Sequence, residues 1–339
     1  MIPLLNINTE KRIPIYLQIV DSITDAIRRG NYKKGDRIFS INEMSNEYFL
    51  ARDTVQKAYS ILQNKGVITP VKGKGYYVKD IHPQVSIRVL LLFSKISNYK
   101  KQIYNAFIET LGDNAIVDIK IHHFSTKIFR DLVANNLIDY DYFVVMPHFY
   151  DEPDHALKII KSISSDKLII LDKNIQHSDI KCAAVFQDFQ NDIIEALEQG
   201  LDLLSKYNKM YLVYPKIVSY SPEIIKGFRK FCMQNNFRHE VLTDINDHTP
   251  IEKKEAYIII EENDLCKLIR IAKEKEYIIG EELGIISYND SPLKEILLDG
   301  ITVMSTDHRK MGETAARLIR ENSSEKIKNP FVLIRRSSL

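Results

Sequence analysis

Arg52, Thr54, Gln56 and Lys57 lie within one short stretch, ARDTVQKAY, and a Lys72-Gly73-Lys74-Gly75 run follows it. Such side chains recognise a partner through hydrogen bonds and charge; they do not make or break covalent bonds. The fork of an arginine fits the acceptor edge of guanine, and a glutamine amide fits adenine. Lysines flanked by glycine let a backbone approach a phosphate closely and neutralise it. Taken singly, each residue reads equally well as a solvated polar side chain. Their order along the chain, behind a cappable turn and ahead of a glycine-flanked tip, favours recognition.

Bond-making chemistry finds less support. The chain has no GxGxxG after a strand, no GxxxxGK followed by Ser or Thr, no GxSxG and no HExxH. With 12 glycines in 339 residues, phosphate-cradling loops are scarce. His122 and His123 are neighbours on a strand and point to opposite faces, which suits no shared metal. Glu261-Glu262 and Glu281-Glu282 read as solvated element ends. Cys182, Cys232 and Cys266 lie far apart, without metal-ligand spacing, and read as reduced thiols. No catalytic residue, metal or cofactor is expected.

The recognition residues need elements to hold them. Pro14 suits a first helical turn, and Ile15, Ile19, Ile23 and Ile27 then recur every fourth residue, one apolar helical face that Gly30 ends. Ser40-Ile41-Asn42-Glu43 is a capping box for a second helix running to about Tyr48. A third helix starts near Arg52, turns Val55, Ala58, Tyr59 and Leu62 inward, and closes at Gly66. Val67–Thr69 and Tyr76–Val78 read as strands joined by the lysine-glycine tip. This is the layout of a winged helix-turn-helix, in which the start of the third helix meets base edges.

Length and charge agree with that reading. A chain of 339 residues implies two or three domains, and 45% apolar with 27% charged residues is ordinary for a globular protein. The net charge of +2 is unevenly spread: residues 1–80 hold 13 Lys/Arg against 8 Asp/Glu, whereas 81–339 hold 34 against 37. Only the first part is expected to meet phosphate. No apolar run approaches the ~18–20 residues of a membrane span. MIPLLNINTEKR has no signal-peptide pattern, so a cytoplasmic protein with no membrane contact is expected.

The segment resembles the DNA-binding domain of the GntR family of bacterial transcriptional regulators over about residues 10–80. The matching marks are PIYLQI, GDRI, SINEMS, ARDTVQKAY and GVITPVKGKGYYV. The resemblance implies double-stranded operator DNA as partner, met by Ser40, Asn42, Arg52, Thr54, Gln56, Lys57, Lys72, Gly73, Lys74 and Gly75. The family usually carries arginine where Asn42 and Gln56 stand, and Ser or Thr where Ala51 stands, so some contacts differ here.

Residues 81–86 read as a linker. From 87 to 339, apolar strand-like runs alternate with helical segments, among them Val89–Phe93, Ile116–Ile121, Tyr142–Met146, Leu168–Leu171, Met210–Tyr214, Tyr257–Ile260, Leu283–Ser287 and Ile301–Met304. Asp192–Leu204 reads as one of the helices. Alternation of this kind means parallel sheets covered on both faces, and the length fits two doubly wound lobes with a cleft between them. LGIISYNDSPLKEILLDGITVMSTDHRKMGETAARLI and the terminal FVLIRRSSL resemble the LacI/GalR regulators and the periplasmic sugar-binding fold. The expected fold is therefore α/β: a winged helix-turn-helix followed by a two-lobed periplasmic-binding-protein-like domain, an arrangement similar to arabinose repressors. The resemblance implies a homodimer whose operator affinity is switched by a small ligand, a sugar or sugar derivative.

Ligands in such folds bind at the carboxyl ends of the strands. There the chain offers Ser94, Asn98, Tyr99, Asp172, Lys173, Asp188, Tyr220, Asn263, Asp264, Asn289 and Asp290. Asn263 and Asn289 fall on positions that contact ligand in the family, and Glu223 lies in the region of its usual ligand arginine. Asp188 and Asp264 read equally as helix caps, and Asn289 also as a cap of the next turn. Two other functions stay open from sequence: a doubly wound enzyme carrying a DNA-binding head, and a ligand-independent DNA-binding protein.

Overall fold

Isoleucines at every fourth position build α1 (Ile15–Arg28), whose Ile19, Val20 and Ile23 are buried against the rest of the head. β1 (Arg37–Ile38), α2 (Ile41–Glu47), α3 (Arg52–Asn64), β2 (Ile68–Val71) and β3 (Gly75–Val78) complete it. Val55, Ala58, Tyr59 and Leu62 carry α3 inward, and the three strands form an antiparallel sheet in the order β1-β3-β2. The Tyr59 hydroxyl donates to Phe39 O at 2.6 Å, so the one polar atom this ring buries is satisfied. The structure is a computed structural model and describes residues 14–28, 30–79, 87–112, 115–137, 139–173, 175, 180–216 and 220–339. The expected linker at 81–86 lies outside the described residues.

The first lobe runs through β4 (Ile87–Phe93), α4 (Asn98–Leu111), β5 (Ala115–Ile121), α5 (Thr126–Ala134), β6 (Tyr142–Val145), α6 (Pro153–Ile160), β7 (Leu168–Lys173) and β8 (Ala183–Gln187). The second holds α7 (Phe189–Gln199), α8 (Leu201–Leu204), β9 (Lys209–Val213), α9 (Glu223–Gln234), β10 (Arg238–Leu242), β11 (Glu255–Ile259), α10 (Glu262–Glu274), β12 (Leu283–Tyr288), α11 (Pro292–Ile296) and β13 (Thr302–Thr306). The chain then returns to the first lobe for α12 (His308–Arg320) and β14 (Lys326–Lys328), and ends in the second with β15 (Phe331–Ile334).

Among the described residues each lobe has one six-stranded sheet, ordered β14-β8-β7-β6-β4-β5 and β10-β9-β11-β12-β13-β15. All neighbours pair in parallel except β15, which runs antiparallel to β13. Both faces of each sheet carry helices, so the central strands are apolar throughout, as VLLLF of β4 and AYII of β11 show. The expected helix over Asp192–Leu204 is two helices, broken at Gly200. A Cβ at Gly200 would press on the Leu333 side chain 2.6 Å away, and the break lets β15 pass. β8, β10, β14, α5 and α6 were not anticipated.

Helix α12 lies so close to α4 that a Cβ at Gly312 would collide with the carbonyl oxygen of Ile103. Replacing Gly312 by Ala should therefore destabilise the first lobe by ~1–3 kcal/mol, the usual cost of overpacking. A thermal melt unchanged by Gly312→Ala would refute this close approach.

His122 is fully buried, ringed by Phe129 and Phe149, with Nε2 3.2 Å from Met146 O. Burial pushes its pKa down to about 4, from 6.5. Below pH 6.5 the unfolded chain takes up a proton that the folded one refuses, so stability falls as pH falls from 6.5 towards 4. Chemical denaturation across that window should show a shallower loss in His122→Phe than in the parent protein; equal slopes would exclude His122 as a contributor.

Candidate functional site

At the head, the capping box forms as its residues dictate. Glu43 N donates to Ser40 Oγ at 3.2 Å, and Ser40 N donates to Glu43 Oε2 at 2.7 Å. The Glu43 carboxylate also accepts two bonds from Arg37, at 2.8 and 2.9 Å, which ties α2 to the wing strand β1. Ser40 thus serves first as the cap that orients α2. Helix α3 starts at Ala51 without any side-chain cap, as its apolar methyl requires.

The outer face of α3 presents Arg52, Gln56 and Lys57 to solvent, with Thr54 half-buried behind them. Arg52 Nε donates to Asn42 Oδ1 at 3.2 Å, so these two expected residues work as one unit. Lys57 Nζ sits 4.0 Å over the Tyr16 ring, which restrains it without neutralising it. At the wing tip Gly73 and Gly75 have φ of +76° and +102°, values that favour glycine, and hold Lys72 and Lys74 outward. Phe49 escaped notice in the sequence. It forms the turn between α2 and α3 with φ +52° and is 95% exposed.

The second site lies between the lobes, where strands end. A cleft of about 590 Å³, its open mouth included, is lined by Ser94, Lys95, Ser97, Tyr99 and Lys100 after β4, His148 after β6, Asp172 and Gln187 from β7 and β8, and Tyr220, Tyr288, Asn289 and His308. Asp172 and Asn289 hold φ of +73° and +61°. Two non-glycine residues in the left-handed region at one cleft is a pattern found where side chains must be aimed.

Polar groups converge there. His148 Nε2 lies 2.7 Å from Asp172 Oδ2, and a carboxylate only accepts, so His148 donates. Gln187 Nε2 donates to Asp172 Oδ1. Burial would raise the Asp172 pKa, but these two donors and the charge of Lys100 outweigh it and hold the carboxyl at about 2. Lys100 Nζ donates to Ser94 Oγ at 2.5 Å. Tyr99 stacks on His308 with ring centroids 5.0 Å apart, and burial pushes His308 down to about 4. Asn289 Nδ2 donates to the Tyr220 hydroxyl at 3.2 Å. The ammonium of Lys294 secures that strand end from behind, donating to Tyr288 O at 3.0 Å and Asn289 O at 2.7 Å.

Of the residues expected at this site, the structure brings Ser94, Tyr99, Asp172, Tyr220 and Asn289 onto the lining and leaves the others off it. Asp188 caps α7, accepting from Asn191 N. Asp264 neither caps its helix nor reaches the cleft; it is buried and accepts from Ile245 N at 3.1 Å. Asp290 is consumed by Arg336, two bonds of 2.8 Å each. Asn98, Asn263 and Glu223 sit exposed in the first turns of α4, α10 and α9, and Lys173 is exposed at the end of β7. Lys95, Lys100, His148, Gln187 and His308 were missed. A lysine two residues into a capped helix and a histidine starting a far-distant one give no local signal of convergence. Among the described residues no group of acidic, His and Cys side chains could hold a metal.

Known proteins resemble both parts of the chain. Residues 15–78 match the bacterial regulatory proteins of the gntR family, and residues 205–338 match the periplasmic binding protein-like domain. The chain is 25% identical over 129 residues to the transcriptional repressor YtrA of Bacillus subtilis, covering 38% of this chain and 95% of YtrA. It is 31% identical over 93 residues to an arabinose metabolism transcriptional repressor of Geobacillus stearothermophilus, and spans only 26% of that protein's length. In fold it is similar to the lac repressor dimer bound to operator and an anti-inducer, with TM-score 0.61 at 14% identity over 76% of this chain and 95% of that one. A periplasmic binding protein/LacI regulator of Alkaliphilus metalliredigens complexed with D-xylulofuranose gives TM-score 0.58 at 15% identity, over 75% of this chain and 99% of that one. A gntR-type winged helix on a two-lobed periplasmic-binding-protein-like body makes this chain a DNA-binding transcriptional regulator.

Proposed function

We propose that a sugar or sugar derivative, bound in the cleft, switches the operator affinity of a homodimer working in the cytoplasm. The observation that carries this reading is the convergence of Asp172, Gln187, Asn289 and Tyr220 in one cleft between two lobes. Hydroxyl-rich ligands need donors and acceptors in alternation, and amides supply both. Closure on the ligand favours one arrangement of the lobes, and hence one spacing of two heads on DNA, by its difference in affinity for the two states. The dimer is proposed by analogy with the lac repressor dimer. Among the described residues no helix is long and apolar enough to cross a membrane.

The body is proposed to be non-enzymatic. The pair nearest to a nucleophile and base is Ser94 with Lys100, and there the Lys100 ammonium donates to Ser94 Oγ and so cannot take its proton. Operator binding measured with and without a panel of monosaccharides and their derivatives tests the sensor reading. Turnover of any member would favour an enzyme, and operator affinity indifferent to all of them would favour a ligand-independent regulator.

On DNA, Arg52→Ala should cost ~1–3 kcal/mol and relax preference at one base pair, since Arg52 is the exposed fork at the start of α3. Lys72→Ala should instead weaken all sequences alike and lower the salt slope by about one unit. Quantitative binding to operator and to scrambled duplexes separates the two. An Arg52→Ala protein with unchanged affinity and base preference would show that α3 does not read the groove.

In the cleft, Asn289→Ala removes a donor already poised beside the Tyr220 hydroxyl. It should weaken ligand binding by ~1–3 kcal/mol per lost partner while leaving ligand-free operator binding near normal. Calorimetric titration of the folded variant provides the check: unchanged ligand affinity would reduce Asn289 to a turn-forming residue.

A further inference from the structure

Lys100 is an ammonium with three donor positions, and among the described residues its one hydrogen-bond partner is the neutral hydroxyl of Ser94. Among the described residues Asp172 is the only carboxylate on the lining; it already receives both His148 and Gln187 and forms no ion pair with Lys100. Burial pushes Lys100 down to about 8, which still leaves it charged at neutral pH. A second cation, Lys95, lines the same wall. So does Ser97, the cap of α4, a helix of 14 residues. The Ser97 hydroxyl accepts only from Lys100 N, so the positive end of the helix faces this part of the cleft with its earlier amides uncapped by that side chain.

Across the cleft floor the need is of the opposite kind. Gln187 is 8% exposed, and its Oε1 is buried without a hydrogen-bond partner while its Nε2 is spent on Asp172. A buried acceptor of this sort is costly unless something donates to it. A ligand hydroxyl would.

We propose that the effector is a polyhydroxylated anion, a sugar phosphate or a sugar acid, whose charged group is held by Lys100 at the start of α4 and whose hydroxyl donates to Gln187. This rests on the sensor reading above and narrows the ligand class. A neutral sugar would satisfy Gln187 but leave Lys100 with only the more distant charge of Asp172 and no direct ion pair; an inorganic anion would do the reverse. The two needs lie on one cleft, and one molecule with both groups meets them.

The test is calorimetric titration of the full-length protein with glucose, fructose, arabinose and xylose, each beside its phosphate ester, together with gluconate and glucuronate. At least one phosphorylated or acidic member should bind 10-fold or more tightly than its neutral counterpart. Whether esters or carboxylates lead identifies the anion. Lys100→Met should remove that preference and Lys100→Arg should keep most of it, which separates loss of charge from loss of fold. Inorganic phosphate should compete with the tightest member in the parent protein and not in Lys100→Met. If neutral sugars bind as well as their anionic partners and shift operator affinity, the anion proposal falls and the sensor reading stands. If an anionic member binds Lys100→Met as tightly as the parent protein, Lys100 is not its anchor and the proposal falls. If no member binds or alters operator affinity, both readings fall.

Discussion

Everything in the body depends on how three chain crossings between the lobes are tied together. The chain passes from β8 into α7, from β13 into α12 and from β14 into β15. Asn329, 1% exposed, sits at the last of these crossings. Its Nδ2 donates to Thr306 Oγ1 at 2.8 Å and to Asp307 O at 2.9 Å on the second crossing, and its N donates to Phe186 O at 2.7 Å beside the first. Asp307 N returns a bond to Pro330 O at 3.0 Å. Through these bonds Asn329 ties the three crossing segments together. The cleft residues Gln187 and His308 are each within two residues of a crossing, so the cleft lies directly beside the place where the lobes join.

Charges placed behind the cleft do the complementary work of holding its walls still. Arg336 binds both oxygens of Asp290 and also donates to Ile301 O at 2.9 Å. Lys294 ties the carbonyls of Tyr288 and Asn289. Together they clamp the ISYND strand end from two directions, which lets Asn289 keep its left-handed backbone and aim its amide at Tyr220. The same logic runs in the head, where Arg37 and Ser40 both engage Glu43 and so couple the wing sheet to the helix preceding α3. Each candidate surface is thus braced by a charged pair, Arg37 with Glu43 in the head and Arg336 with Asp290 in the body.

What sequence revealed and what it hid follow from how local each signal is. The head was legible because its cues are all local: a four-residue isoleucine repeat, a capping box and a glycine-flanked tip. The two lobes were legible from apolar runs of central strands, which are buried on both faces. β10, with RHEVL, is an edge strand whose residues are partly exposed, and β14 is three residues long; neither writes a hydrophobic run. The cleft was read half correctly. A polar residue at a strand end faces either the cleft or its own helix, and one residue decides which. Asp172 ends inside the cleft, whereas Asp188, one residue past β8, turns back to cap α7 and leaves Gln187 to line the site. His308 lies far along the chain from Tyr99 and meets it only because α12 packs on α4.

That packing carries a consequence for how the head could sense the cleft. Helix α4 begins at the cleft with Ser97 and Lys100, and α12 begins there with His308. Gly312 lets the two helices approach backbone to backbone at Ile103. On the opposite face of that sheet, Leu17 and Val20 of α1 share a recess with Leu137, Phe143 and Ile163, and Asp21 pairs with Lys167 at 2.6 Å. A close-packed lobe transmits displacement rather than absorbing it. The head is therefore seated on the lobe whose helices α4 and α12 start at the cleft.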